Sequence, residues 1–436
     1  MSKRGPVLIP KSRDRMPDHL FHATLRDPET KTAIARRVLC EIYIPDSHRG
    51  KVDIVFHPTP NQVPALQFVP AVSLYSRSRP GRFVVKSDEI WHEGATTGVQ
   101  DGISFMYSCA GSASTLEITN LRGKSRSDSL TAGVFWLTEC ALINTATSIL
   151  HSYTGNVRAK QIVKPKFTLR SGARLSFRKR FTQDRATGKK IAQLVAEFRP
   201  KSRLTLSVFG AVAEDMDDML LLVSLAARRR CTCTGWSYFD SRGNFTRFYR
   251  RNLVLPPEEP LDVDDCLIPM RSFMKYLRSA YVNFGRASRK ELIRNAIFAL
   301  RSEGGSVDNQ FLRLFAGLES ILLHAERVNG RSGRSKLHQK LAFFQSIYDV
   351  DLTDLWPLLD SSSGTSLAQI RNRAIHGEYL NTASYRALAY AVQNLQWTLE
   401  RMLLSVLGWP VGNTNVSKSF LPHLTTYRWL PMRSKI

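Results

Sequence analysis

Near its C-terminus the chain reads Ile370-Arg371-Asn372-Arg373-Ala374-Ile375-His376-Gly377. Arg371 is a permanent cation whose planar fork of donors suits phosphate oxygens. His376 carries the side chain best placed to exchange a proton near neutral pH. Asn372 can hold the imidazole or a substrate oxygen. An arginine, an amide and a histidine at this spacing can act on a phosphodiester without a metal ion. The residues before them supply a platform. Ser366 and Gln369 form a Ser-x-x-Gln capping box, which opens a helix. Leu367, Ile370 and Ala374 follow on one face, expected to be buried, and Gly377 stands where a helix commonly stops. His376 is thus expected at the C-terminal end of a short helix. Asn372 and His376 are four apart and share a face, whereas Arg371 lies about 140° round from His376 on a 3.6-residue turn. A second copy of the helix across a two-fold axis would supply the missing angle, so the spacing points to a homodimer with a shared cleft.

The rest of the chain fits a polyanionic substrate. Its 436 residues imply about two or three domains. A formal charge of +25 points to nucleic acid or an anionic surface. No apolar run approaches the roughly 20 residues that cross a bilayer, so no membrane span is expected. No signal peptide is visible behind Met-Ser-Lys-Arg-Gly-Pro. Cysteines 40, 109, 140, 231, 233 and 266 form no Cys-x-x-Cys pair, which gives no zinc spacing. Cys231 and Cys233 alternate as a strand would and read as packed or idle thiols. A reducing cytoplasm fits this usage, and no cofactor is expected.

The charge sits mid-chain. Residues 158–203 hold 15 Lys/Arg against Asp184 and Glu197, and residues 228–251 hold seven Arg against Asp240. Arg174, Arg178 and Arg180 alternate with Leu175, Phe177 and Phe181 in a hairpin over 174–198, turning at Asp184–Gly188. One face of that hairpin is expected to be cationic. Arg247 and Arg250 stand beside Phe245, Phe248 and Tyr249. Arginines next to rings suit single-stranded bases as well as phosphates, so these five arginines are candidate nucleic-acid contacts. A solvated basic face is the competing reading.

Fold class follows from period. Residues 1–35, with Pro6, Pro10, Pro17 and Pro28, read as an irregular arm. From 36 to 260 the pattern is mostly strand-like and antiparallel, with Ala132–Leu150 open between strand and buried helix. One helix is expected over 212–227, its Asp215, Asp217 and Asp218 near the favourable N-terminal end. Strands Cys231–Phe239 and Phe245–Tyr249 follow. The Pro/Glu-rich stretch Leu255–Pro260 marks a boundary at about 255–265. A helical bundle is then expected over 265–407, with helices at 268–283, 288–303, 309–327, 335–347, 366–376 and 383–407 and wide apolar stripes facing the core. Residues 408–436 read as a tail. Gly330-Arg331-Ser332-Gly333-Arg334 reads as a flexible loop, able to touch a substrate if it folds near His376. The fold class is α+β.

The motif resembles the Arg-x4–6-His signature of the HEPN superfamily, the helical domains of many prokaryotic defence and toxin ribonucleases, and in its wording the ApeA-like branch. That branch also carries an earlier helix similar to Phe315-Ala316-Gly317-Leu318-Glu319-Ser320-Ile321-Leu322, and a β-rich region ahead of the helices. The resemblance covers roughly residues 285–407; the β-rich region is not matched residue by residue. It implies metal-independent RNA cleavage through 2′-hydroxyl attack, leaving a 2′,3′-cyclic phosphate. His376 would move protons, Arg371 would stabilise charge on the phosphate, and Asn372 would orient His376 or a phosphate oxygen. Glu319 reads either as a supporting partner or as a helix-surface acid. The setting implied is antiviral defence by abortive infection, with a phage-derived trigger sensed through the N-terminal region. The alternative is a nucleic-acid-binding protein without catalysis, whose helical domain serves dimerisation.

Overall fold

The computed structural model describes residues 16–44, 52–67, 71–77, 83–100, 104–113, 115–120, 129–143, 147–151, 157–161, 165–183, 190–199, 205, 209–250, 264–302, 305–362, 364–376, 382–419, 421 and 426–436. They form two compact units, a β-rich one and a helical one, so the architecture is α+β.

The β-rich unit is antiparallel throughout its described strands. It contains β1 (His19–Arg26), β2 (Ala33–Tyr43), β3 (Val52–His57), a short helix α1 (Val63–Gln67), β4 (Ala71–Arg77), β5 (Phe83–Gln100) and β6 (Ser104–Ala113). Because β6 pairs with both β3 and β5, the order β5-β4-β1-β2-β3-β6 closes on itself as a six-strand barrel. Strand alternation fills it. In β3, Val52, Ile54 and Phe56 are buried while the residues between are half-exposed, and Cys40 and Ile42 of β2 lie opposite Phe56 and Ile54.

The sheet continues from β5 through β7 (Thr115–Asn120), β15 (Phe245–Arg250), β14 (Cys233–Asp240), β8 (Leu130–Leu137), β13 (Lys190–Arg199) and β12 (Arg174–Gln183) to β11 (Lys166–Thr168). A separate pair joins β9 (Thr147–His151) and β10 (Val157–Gln161). The ambiguous stretch Ala132–Leu150 therefore holds strands. The expected hairpin is β12–β13, in register at Phe177↔Ala196; its turn, Asp184–Gly188, lies outside the described residues, as does the expected link Leu255–Pro260.

The irregular arm expected over residues 1–35 is corrected by β1, which pairs with β2 and β4. Only Ala23 and Leu25 of β1 are fully buried. Phe21, Ala23 and Leu25 do alternate toward the core, but the run is short, flanked by Pro17 and Pro28 and interrupted by the exposed Leu20.

In the helical unit, α3 (Met270–Arg286), α4 (Lys290–Arg301), α5 (Val307–Val328), α6 (Leu337–Tyr348), α7 (Leu367–Ile375) and α8 (Thr382–Val406) match the expected helices to within a few residues. Their stripes are core: Phe273, Tyr276, Leu277, Ala280, Tyr281 and Phe284 are the buried face of α3, at the spacing of a core-facing helix. The hub is α5, which packs against α4, α6, α7 and α8. At Gly317 a Cβ would stand 2.6 Å from the Ala299 methyl, so glycine sets the close approach of α4.

Three boundaries move. The helix expected at 212–227 is α2 (Phe209–Ala227), and from Met216 onward it belongs with the helices, as do Cys140–Ile143. Met216, Met219, Leu222, Val223 and Leu225 are buried, a surface wide enough to need helical neighbours. Because α2 begins earlier, Asp215 and Asp218 sit past its first turn and take ion pairs instead of the dipole: Arg170 holds Asp215 and Arg294 holds Asp218. The described residues of the tail expected at 408–436 are packed structure. Trp429 stacks on Trp356 at 5.9 Å between centroids, and Arg433 is buried. No helix among the described residues is long and apolar enough to cross a membrane.

Candidate functional site

The motif occupies α7 and the residue that ends it. Ser366 caps the helix by accepting from the Gln369 backbone N–H at 3.3 Å, while its own N–H donates to Gln369 Oε1 at 2.9 Å. The strand of chain leading in is pinned as well. Leu367 and Ala368 donate to the carbonyls of Pro357 and Leu358 at 3.1 and 3.0 Å, and Thr365 donates to the Arg433 carbonyl at 3.2 Å. The Arg433 guanidinium returns the contact, donating to the carbonyls of Asp360 and Gly364 at 2.6 and 2.8 Å. The C-terminal segment thus fixes the start of the motif helix, a role no local pattern announced. Leu367 and Ile370 are buried as expected. Ala374 is only half-buried, because the helix ends one residue later and leaves its last turn at the surface.

Arg371 leans from α7 onto α5. One guanidinium nitrogen lies 3.4 Å from Glu319 Oε1 and another donates to Asn372 Oδ1 at 3.2 Å. The fork also lies over the Phe315 ring, 5.7 Å from its centroid. Glu319 is therefore both of the things its sequence allowed, an exposed helix acid and the partner of the motif arginine.

Asn372 shares its helix face with His376, but its amide oxygen is used by Arg371. His376 is the C-cap of α7, with φ −79° and ψ 2°. Its backbone N–H donates to the Asn372 carbonyl at 3.1 Å and its side chain is exposed. Among the described residues, no hydrogen bond joins the imidazole to Arg371 or Asn372. One chain thus joins Arg371 to Asn372 and Glu319, and His376 stands at the end of the same short helix. Gly377 lies outside the described residues. No family model, no curated protein and no solved structure matches this chain.

The second candidate surface is the basic face of the β-rich unit, and here the expectation is partly corrected. Arg174 is exposed, directly opposite the exposed Arg199. Arg178 and Arg180, however, converge on one carboxylate oxygen of Glu197. The register explains this: Glu197 pairs with Ser176, so it sits on the arginine face, and one acid offsets two cations. Arg250 is half-buried and lies over the Trp236 ring at 4.6 Å, which itself stacks on Phe248 at 4.4 Å. It covers the edge of an aromatic cluster. Arg247 is exposed, 5.2 Å over Phe245. Among the described residues, Arg174 and Arg247 are the two of the five that are exposed with no ion pair to a carboxylate.

The six cysteines are buried and form no disulfide. The Cys231 thiol is pushed well up from its ordinary value, first by a hydrogen bond with Cys140 and then by burial, which suits an inert packed thiol.

Proposed function

We propose that this protein is an endoribonuclease of HEPN type that cleaves RNA without a metal ion through Arg371 and His376. The observation that carries the reading is the state of Arg371. It is a surface guanidinium on a rigidly capped helix, held by one long contact to Glu319 and a neighbouring amide, one turn from an exposed histidine. A phosphate group would give that fork shorter, charge-assisted bonds than it has now.

In the reaction, the 2′-hydroxyl oxygen attacks the adjacent phosphorus and the bond from phosphorus to the 5′-oxygen breaks. A 2′,3′-cyclic phosphate and a 5′-hydroxyl result. One proton leaves the 2′-hydroxyl and one reaches the departing 5′-oxygen; His376 is the group for this traffic. Arg371 stabilises the charge that gathers on the non-bridging oxygens. Asn372 holds the Arg371 fork rather than the imidazole, a revision of the role its spacing alone implied. Because Arg371 and His376 stand about 140° apart on a 3.6-residue turn, a homodimer pairing two α7 helices completes the site. The basic face around Arg174 and Arg247 serves RNA binding or the sensing of a phage-derived trigger, and the setting is cytoplasmic antiviral defence by abortive infection.

The test is RNA cleavage in EDTA by wild type, Arg371→Ala and His376→Ala, with analysis of the product ends. Cyclic-phosphate ends made by wild type and lost in both variants support the reading. Equal cleavage by His376→Ala overturns the assignment. A second reading, a nucleic-acid-binding protein whose helical unit only dimerises, draws on the separation of His376 from Arg371. RNA binding without cleavage, unchanged in His376→Ala, supports that one.

A further inference from the structure

A cleft adjoins the motif arginine, and the fold has taken care to build it. Helix α5 presents Ala316, Glu319, Ser320 and Leu323 along one side, the i, i+3, i+4, i+7 set of a single face. Leu337 and Lys340 of α6, with Ser335 before it, form the other side, enclosing about 420 Å³. That volume is within the range of small-ligand sites, about 300–1,000 Å³. Glu319 belongs to both places: it lines the cleft and it touches Arg371 at 3.4 Å.

Residues 330–334, which read in the sequence as a flexible loop, lead into Ser335 of the cleft. Gly330 and Gly333 hold φ of +75° and +76°, backbone that favours glycine. A Cβ at Gly333 would stand 2.6 Å from Leu323 Cδ1 and 3.0 Å from Arg327 Nε, so only glycine lets the loop close onto α5. Arg331 lies 3.6 Å over the Phe343 ring and fastens the loop to α6. The result is an open recess of mixed lining, with two leucines, two serine hydroxyls and cations at its rim. Ser320 donates to the Ala316 carbonyl at 3.0 Å and so turns its lone pairs outward. Arg334 and Lys336 are exposed beside it. Among the described residues, the acid paired with Lys340 is Glu326 at 3.8 Å, a fully buried carboxylate. That separation leaves the ammonium donors available for a closer anion.

We infer that this cleft is a nucleotide subsite for single-stranded RNA: a base enters between Leu323 and Leu337, and Lys340 with the loop cations holds the phosphate flanking the one on Arg371. Two leucine side chains with hydroxyls beside them suit a base and its edge, and an ammonium at the rim suits its phosphate. The inference rests on the ribonuclease reading for which phosphate is cut, but not for whether RNA occupies the cleft.

The two are separable by measuring binding apart from cleavage. The full-length His376→Ala protein is titrated with a fluorescein-labelled mixed-sequence RNA 12-mer and followed by anisotropy. Ser320→Trp, which fills the cleft, is expected to weaken binding about tenfold or more, the loss of one seated base. Lys340→Ala is expected to weaken it several-fold and to lower the salt slope by about 1. If Ser320→Trp or Lys340→Ala melts early, Lys336→Ala and Lys336→Glu, at an exposed side chain of the loop, carry the test alone. RNA affinity unchanged in the folded variants overturns the subsite, and is the result expected if the cleft instead takes a protein segment. Weakened binding in a protein whose wild type never cleaves would leave the subsite standing and the ribonuclease reading overturned.

Discussion

Arg401 and Arg371 each face a carboxylate from another part of the helical unit, in opposite surroundings. The Arg401 and Asp354 side chains are 1% and 2% exposed, and their contact is a two-pronged fork at 2.5 and 2.7 Å. The remaining Arg401 donors go to the carbonyls of Val416 and Asp351. The Arg371 and Glu319 side chains are 35% and 46% exposed, and their contact is a single one at 3.4 Å. The chemistry is the same and the commitment is not. A buried fork with its donors matched has no lower-energy partner to move to, and removing either member strands a charge. An exposed, one-pronged pair contributes little, so its arginine can exchange the carboxylate for a phosphate at small cost. Burial thus separates an arginine that holds the fold from one proposed for chemistry.

Asp354→Ala is the strongest test of this contrast. It leaves the Arg401 charge buried without an acid, and unfolding free energy is expected to fall by about 3–5 kcal/mol in urea denaturation. A loss below about 1 kcal/mol would put Arg401 in the same class as Arg371 and break the comparison.

Glu400→Gln comes next. Glu400 is fully buried and receives Arg228 on both oxygens and Arg301 on one, while Arg301 also donates to the carbonyls of Ser224 and Leu225 near the end of α2. The amide keeps one acceptor, so a loss of about 1.5–3 kcal/mol is expected. Burial opposes ionisation of Glu400 most strongly, yet the two guanidiniums together hold its carboxyl below the usual range. A depressed carboxyl stabilises the fold fully above its unfolded pKa and loses that contribution as pH falls through the folded one. Melting temperature followed from pH 7 downward is therefore expected to drop below the ordinary carboxylate range, and to drop less steeply in Glu400→Gln. Parallel curves would show that Glu400 does not ionise as the ion cluster requires.

What could be read from the sequence has the same physical basis as this contrast. The six C-terminal helices and the Ser366–Gln369 cap were legible because their determinants lie within a turn or two of each other. The partners that decide function or stability are remote: Asp354 is 47 residues from Arg401 and Glu319 is 52 from Arg371. Arg433 reads as one more basic residue in a tail until its carbonyl partners, 69 and 73 residues away, are known. Glu197 lay in plain view in the hairpin, but only the strand register puts it between Arg178 and Arg180. The apolar length of α2 was legible, and which unit would cover it was not.

Ser366→Ala moves the contrast to a single hydrogen bond beneath the site. Loss of the cap is expected to cost about 1 kcal/mol and to fray the start of α7, seen as faster amide exchange at Gln369. If Arg433 and the backbone bonds from Leu367 and Ala368 already fix the helix start, exchange at Gln369 will stay slow, and the anchoring of α7 belongs to the C-terminal segment instead.

Glu319→Gln is expected to have the smallest effect on stability and the most direct bearing on the proposed chemistry. The pair is exposed and one-pronged, so unfolding free energy should change by less than about 1 kcal/mol. The change also removes a negative charge beside the fork that is proposed to meet a phosphate. Anisotropy with the RNA 12-mer in the His376→Ala background should therefore show tighter binding, by several-fold at low salt and less as salt rises and screens the carboxylate. Weaker binding in Glu319→Gln would mean that the acid aims Arg371 rather than competing for it. Arg371 would then resemble Arg401, an arginine that works only while its carboxylate is in place.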